Sequence, residues 1–190
     1  MDGVKEQILT CARDLFLAEG LSRFSMRKVA SCAGVSATAI YRHYANREEL
    51  LFHVLLRGFL IFADYLRRVD KGLDPLPLLE ATAMAYLDFA LSERAYYEMM
   101  FMSSEQITGL KQLSQDGMTE MRHTFEILEQ RVQRAIDAGA LKGDNSYRVA
   151  FGMWAYAHGQ ISLYLCGQSE MEKNLFINTY RELFASYIRC

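Results

Sequence analysis

Ser25-Met26-Arg27-Lys28-Val29-Ala30-Ser31-Cys32-Ala33-Gly34-Val35-Ser36-Ala37-Thr38-Ala39-Ile40-Tyr41-Arg42-His43-Tyr44-Ala45-Asn46-Arg47 is the stretch whose reading decides the fold. A serine at position 25 can accept a hydrogen bond from the first free N–H groups of a helix, which predicts a short helix to about Cys32 with Val29 and Ala30 facing inward. Gly34 supplies a tight turn. A second short helix begins near Ser36. Val35 and Ile40 anchor it inward, Tyr44 falls one turn after Ile40 on the same buried side, and Thr38, Tyr41 and Arg42 are left outward.

Upstream, Val4, Ile8, Cys11, Ala12, Leu15 and Phe16 recur at helical spacing, and Gly20 stands where a helix should stop. Downstream, a longer helix is expected from near Asn46 to about Val69. Arg47-Glu48-Glu49 lies in its first turn, with Leu50, Leu51, Val54, Leu55, Phe59 and Phe62 behind. The only prolines are Pro75 and Pro77. Further helices are predicted over 76–91, 93–102, 105–114, 117–138, 146–165 and 171–188. The expectation is an all-α chain of nine or ten helices. A three-helix head over residues 1–50 precedes a helical bundle over 51–190, and no repeat or low-complexity tract interrupts them.

Charge is segregated along the chain. The whole carries a formal charge of −2, yet Arg23, Arg27, Lys28, Arg42 and Arg47, with His43, crowd between Gly20 and Arg47, where no acidic residue occurs. A basic face of this kind attracts phosphates even in an acidic protein. A helix that enters a DNA major groove, about 12 Å wide, needs a small leading face and polar side chains that reach base edges. Ala37-Thr38-Ala39 is small, and Arg42 can donate two hydrogen bonds to a guanine edge. The hydroxyl groups, His43 and Arg47 suit contacts to the sugar-phosphate backbone.

These residues also carry a family resemblance. Ser25 to Ala30, followed by Gly34-Val35-Ser36-Ala37-Thr38-Ala39-Ile40-Tyr41-Arg42-His43-Tyr44-Ala45-Asn46-Arg47-Glu48-Glu49-Leu50-Leu51, resembles the DNA-binding helix-turn-helix of TetR-family transcriptional regulators over about fifty residues. The family pattern usually has lysine where Arg47 stands, and either cation suits a phosphate. The resemblance implies that Ser25, Arg27, Ser36, Ala37, Thr38, Ala39 and Arg42 face DNA, with Tyr41, His43 and Arg47 toward phosphates. It further implies a homodimer reading a palindromic operator in double-stranded DNA, released by a small effector.

The four cysteines (Cys11, Cys32, Cys166, Cys190) show neither a CxxC pair nor zinc-ligand spacing, so they are expected to be reduced, small buried hydrophobes of a cytoplasmic protein, with Cys190 alternatively an exposed thiol and a redox sensor the competing reading. Charges interrupt every apolar run before the 18 or so residues a membrane span requires. No nucleophile–base pair, phosphate loop or metal cluster is visible, which argues against an enzyme, a metal or a cofactor. A helical protein-interaction module with a basic face is the competing reading, as is a DNA-binding regulator that takes no ligand or activates transcription.

Residues 51–190 hold nineteen of the 23 aromatics and eight of the ten methionines, including Tyr96-Tyr97-Glu98-Met99-Met100-Phe101-Met102. Such a bundle can house a hydrophobic or aromatic effector. The resemblance points to Phe59, Phe62, Tyr86, Phe89, Tyr97, Phe101 and Phe125 as pocket linings. Trp154-Ala155-Tyr156-Ala157-His158-Gly159 is similar to the Trp-x-x-x-His-Gly motif of one class of TetR C-terminal domains, which adds Trp154 and His158. Small residues around Tyr156 and Gly159, and the stripe of Phe176, Tyr180, Phe184 and Tyr187, suggest a four-helix dimer interface.

Overall fold

Nine helices follow from this patterning in a computed structural model that describes residues 2–102 and 115–189. They are α1 (Asp2–Glu19), α2 (Met26–Cys32), α3 (Ala37–Tyr41), α4 (Arg47–Arg67), α5 (Pro75–Ser92), α6 (Arg94–Phe101), α7 (Gln115–Asp137), α8 (Ser146–Leu165) and α9 (Lys173–Tyr187). No strand occurs among the described residues. The helix expected over 105–114 and Cys190 lie outside them. The chain packs as two compact units, 1–61 with 93–121 and 62–92 with 122–190.

In the first unit the helix ends are closed locally. α1 stops at Gly20, whose N–H reaches the Phe16 carbonyl at 2.8 Å. Ser25 Oγ accepts from Lys28 N at 3.3 Å to start α2, and Ser36 Oγ accepts from Ala39 N at 3.1 Å to start α3. Between them Gly34 adopts φ +63°, a left-handed conformation that a side chain disfavours. Its N–H bonds to the Ser31 carbonyl while Val35 N reaches the Ala30 carbonyl, which gives a donor to two of the carbonyls in the last turn of α2. Asn46 Oδ1 accepts from Glu49 N at 2.8 Å and Glu49 Oε2 accepts from Ala45 N at 2.5 Å, so α4 begins on a reciprocal cap.

The core of this unit is apolar. Ile8, Ala12 and Phe16 of α1 are buried with Val29, Ile40, Tyr44, Leu50 and Val54. Gly58 lets α4 lie close against α6: a Cβ there would sit 2.6 Å from Met100 Sδ and 3.1 Å from the Tyr96 ring. The Arg13 guanidinium lies over the same Tyr96 ring, 4.6 Å from its centroid.

The expectations for the cysteines fail in part. Cys11 and Cys32 are joined by a disulfide with their Cα atoms 5.9 Å apart, so they are not reduced. Cys11 is buried as expected, but Cys32 is exposed. The pairing comes from α1 and α2 lying side by side, which brings together residues 21 apart in sequence. Cys166, also expected to be buried, is a free and exposed cysteine.

The second unit is built around α5, which is apolar nearly all round and buries Leu78, Leu79, Ala83, Tyr86, Leu87, Phe89 and Ala90. α8 and α9 pack on it and on each other. Polar groups inside this unit are bonded. Thr82 Oγ1 donates to the Leu78 carbonyl at 2.6 Å and accepts from buried Arg131 Nη1 at 2.6 Å, while Arg131 Nη2 reaches the Leu66 carbonyl at 2.7 Å. One turn along α7, Arg134 donates to the Lys71 and Leu73 carbonyls at 2.7 and 2.9 Å.

The stripe on α9 turns inward. Phe176, Tyr180 and Phe184, expected at a dimer interface, are buried within the chain. Phe176 stacks on Tyr164, with ring centroids 4.0 Å apart, and Tyr180 Oη donates to the Ala83 carbonyl at 3.0 Å. The apolar period was right, but the face it marks packs on α5 and α8, leaving Leu175, Leu183 and Tyr187 exposed.

Candidate nucleic-acid interface

α3 has only five residues, so its placement depends on what holds it. Ile40, fully buried, and Tyr44, 1% exposed, are its inward anchors, and Val35 is half-buried. The Tyr44 ring packs on His53, centroids 5.3 Å apart. Burial, helped by Glu49 and Glu6, pushes the Tyr44 phenol up to about 12, and burial with nearby Lys5 lowers the His53 pKa. Both groups are therefore neutral at pH 7.

With the inner side fixed, the outer side is determined. Thr38, Arg42 and His43 are exposed, Tyr41 is 54% exposed, and Ala37 and Ala39 are half-buried beside them. Ser36 is exposed and Ser25 half-buried, each with its hydroxyl already capping a helix. Arg27 is exposed on α2. Among the described residues neither Arg27 nor Arg42 forms an ion pair, so both guanidinium groups can meet a ligand in water.

Arg47 and Lys28 are engaged. Arg47 Nε donates to Glu48 Oε1 at 2.6 Å and holds the Glu48 carboxyl below the usual range. Lys28 pairs with Glu19 and donates to the Arg23 carbonyl at 3.3 Å. Both pairs are exposed, and such pairs contribute about 0–1 kcal/mol, so a phosphate can displace the carboxylate from Arg47. Sequence reasoning did not assign Asn46 and Glu49. Their reciprocal cap fixes the turn between α3 and α4, and the spacing of a side-chain acceptor and an acid three residues later was the available clue.

The residues expected to line an effector site fall into two groups. In the first unit Phe59, Tyr97 and Phe101 cluster, with Phe101 6.2 Å from Phe59 and 5.3 Å from Tyr97 by ring centroids. In the second unit Phe62 stacks on Phe89 at 4.8 Å and lies 5.2 Å from Tyr86, while Phe125 lies 6.3 Å from Trp154. Tyr86 is the polar centre of this group. Its hydroxyl lies 2.9 Å from His158 Nδ1 and accepts from Trp154 Nε1 at 3.3 Å. Burial lowers the His158 pKa, so the ring is neutral and hydrogen-bonding rather than cationic. Tyr156 of α8 stacks on Tyr187 of α9, centroids 4.4 Å apart. Near that pair a Cβ at Gly152 would meet the Tyr187 hydroxyl at 3.1 Å.

Residues 8–54 match the model of bacterial regulatory proteins, tetR family, and residues 79–186 match that of the tetracyclin repressor-like, C-terminal domain. The chain is 29% identical over 157 residues to the HTH-type transcriptional repressor KstR2 of Rhodococcus jostii, spanning 78% of this chain and 73% of that one. Its fold is similar to that of the fatty acid degradation regulator FadR from Bacillus halodurans, with a TM-score of 0.80 at 14% identity over 98% of this chain and 96% of that one. It is also similar to the TetR family regulator PfmR from Thermus thermophilus, with a TM-score of 0.75 at 18% identity over 96% and 97% of the two chains.

Proposed function

The chain belongs to the TetR family and is a DNA-binding transcriptional regulator; we propose that it acts as a homodimeric repressor on a palindromic operator, released by a small hydrophobic or aromatic effector. The observation that carries the DNA-reading assignment is the division of α3 into a buried side of Ile40 and an exposed side of Thr38, Tyr41 and Arg42. Ala37, Thr38, Ala39 and Arg42 meet base edges, while Ser25, Arg27, Ser36, Tyr41, His43 and Arg47 contact the backbone, with Arg27 and Ser25 approaching from α2. Two copies of α3 then enter successive major grooves about 34–36 Å apart.

The dimer is assigned to the outer surfaces of α8 and α9. Phe151, Leu163, Leu175 and Leu183 are exposed there, and the half-buried Gly159 permits close approach of another helix. Equilibrium sedimentation should give a dimer, and a monomer at micromolar concentration would overturn this part. The effector is assigned to the aromatic group of the second unit, where Tyr86 and His158 supply a polar anchor among Phe62, Phe89, Phe125 and Trp154. To release DNA it must bind more tightly to the form that does not bind the operator.

The test begins with duplexes selected by the protein from a random-sequence pool. Arg47→Ala should weaken binding to all duplexes alike and lower the salt slope by about 1. Arg42→Ala should relax preference at one base step, by about 1–3 kcal/mol. Equal losses on selected and random duplexes for Arg42→Ala would refute its role in reading bases.

A further inference from the structure

The Cys11–Cys32 bond joins α1 to the last residue of α2, two residues before the glycine turn that leads into α3. A protein that acts on DNA inside a cell works among low-molecular-weight thiols, where a disulfide is usually transient and linked to redox sensing. The two cysteines differ in exposure: Cys32 is exposed and Cys11 buried. Cys32 is thus the residue placed to meet solutes, with Cys11 as its internal partner.

We propose that Cys11 and Cys32 form a reversible thiol–disulfide site that controls how firmly the head presents α3 to DNA, with the disulfide form the stronger binder. This rests on the DNA-reading assignment of α3. A helix of five residues cannot hold its own geometry. Its orientation follows from the end of α2, and the covalent link to α1 narrows the positions that end can take. The reduced head relies on packing alone, so fewer molecules hold the binding arrangement, and the apparent affinity falls by that fraction.

The chemistry balances with a peroxide as oxidant. The Cys32 thiolate attacks one peroxide oxygen, the O–O bond breaks, and a sulfenic acid forms with release of one water after protonation. The Cys11 sulfur then attacks the sulfenic sulfur, the S–S bond forms, the S–O bond breaks, and a second water leaves. Two thiols have lost two electrons and one peroxide has gained them. Return requires two equivalents of a small thiol. The first attacks exposed Cys32 and expels the Cys11 thiolate, and the second releases Cys32 and forms the disulfide of the small thiol.

The experiment uses the full chain, treated with hydrogen peroxide or with glutathione, and a duplex selected by the oxidised protein from a random pool. Peptide mapping should find Cys11 linked to Cys32 after peroxide and unlinked after glutathione, while Cys166 stays open to alkylation. Thermal melting should show the reduced chain unfolding on the order of 10 °C lower. The oxidised chain should bind the duplex at least about threefold more tightly, which corresponds to about a third of reduced heads holding the competent arrangement. Cys32→Ser and Cys11→Ala should both bind as the reduced chain does and ignore peroxide. Equal affinity in both redox states, absence of the linked peptide, or a peroxide response that survives in Cys32→Ser would each overturn the switch and leave the DNA-reading assignment standing. If no duplex is retained in either state, the DNA-reading assignment falls and the switch falls with it.

Discussion

Tyr44 and Tyr96 of the first unit and Tyr86 and Tyr180 of the second are handled in opposite ways. In the first unit the hydroxyls of Tyr44 and Tyr96 are buried with no hydrogen-bond partner among the described residues, and burial raises both phenols. In the second unit Tyr180 donates to the Ala83 carbonyl, and Tyr86 pairs with His158 and Trp154. An unpartnered buried hydroxyl costs stability, whereas a bonded one contributes modestly and is costly to lose. The first unit thus uses Tyr44 and Tyr96 as apolar wedges and places polar contacts at helix caps and on the outer face. The second keeps a polar network inside, which suits the effector site proposed for it.

Substitutions that delete polar atoms should separate the two. Arg131→Ala is expected to have the largest effect, destabilising the chain by about 3 kcal/mol, because it leaves the Leu66 carbonyl and Thr82 without their buried donor and opens a void. A denaturant midpoint unchanged within error would show that Arg131 contributes nothing there. Tyr180→Phe should cost about 1–2 kcal/mol, since the Ala83 carbonyl loses its donor from this side chain. By contrast, Tyr44→Phe removes a hydroxyl that has no partner among the described residues and should be neutral or stabilising by up to about 1 kcal/mol. A Tyr44→Phe chain that melts lower than the parent would break the comparison.

The smallest effect concerns pH. Burial holds His158 below its ordinary pKa, so the unfolded chain binds that proton more tightly than the folded one. The associated stability is complete above the unfolded value of about 6.5 and declines as the pH falls below it, toward the folded value. His158→Gln should flatten the fall in denaturant midpoint between about pH 7 and pH 5. His53 of the first unit is lowered in the same direction, so part of the acid sensitivity should survive that substitution.

What the sequence made legible was local. Ser25, Gly34, Ser36 and Gly20 act within a few residues of where they stand, so the helix boundaries of the head could be read directly. Ile40 and Tyr44 were recognisable as inward because helical period fixes which residues share a side. On α9 the same period located the apolar stripe of Phe176, Tyr180 and Phe184 but not what covers it, since periodicity records that a face is buried and not by which neighbour. The Cys11–Cys32 bond and the Tyr86–His158 pair join residues 21 and 72 apart, and no short motif encodes either. Those depend on how helices lie side by side.

The close approach of α4 and α6 at Gly58 has a genetic consequence. Any single-base change that replaces this glycine introduces at least a Cβ where Met100 Sδ and the Tyr96 ring already stand. Alanine would require Met100 to shift, and valine, aspartate or arginine would require far more. A screen for spontaneous mutants that have lost regulation should therefore recover changes at codon 58, a position that is neither on the proposed DNA-reading face nor in the proposed effector group.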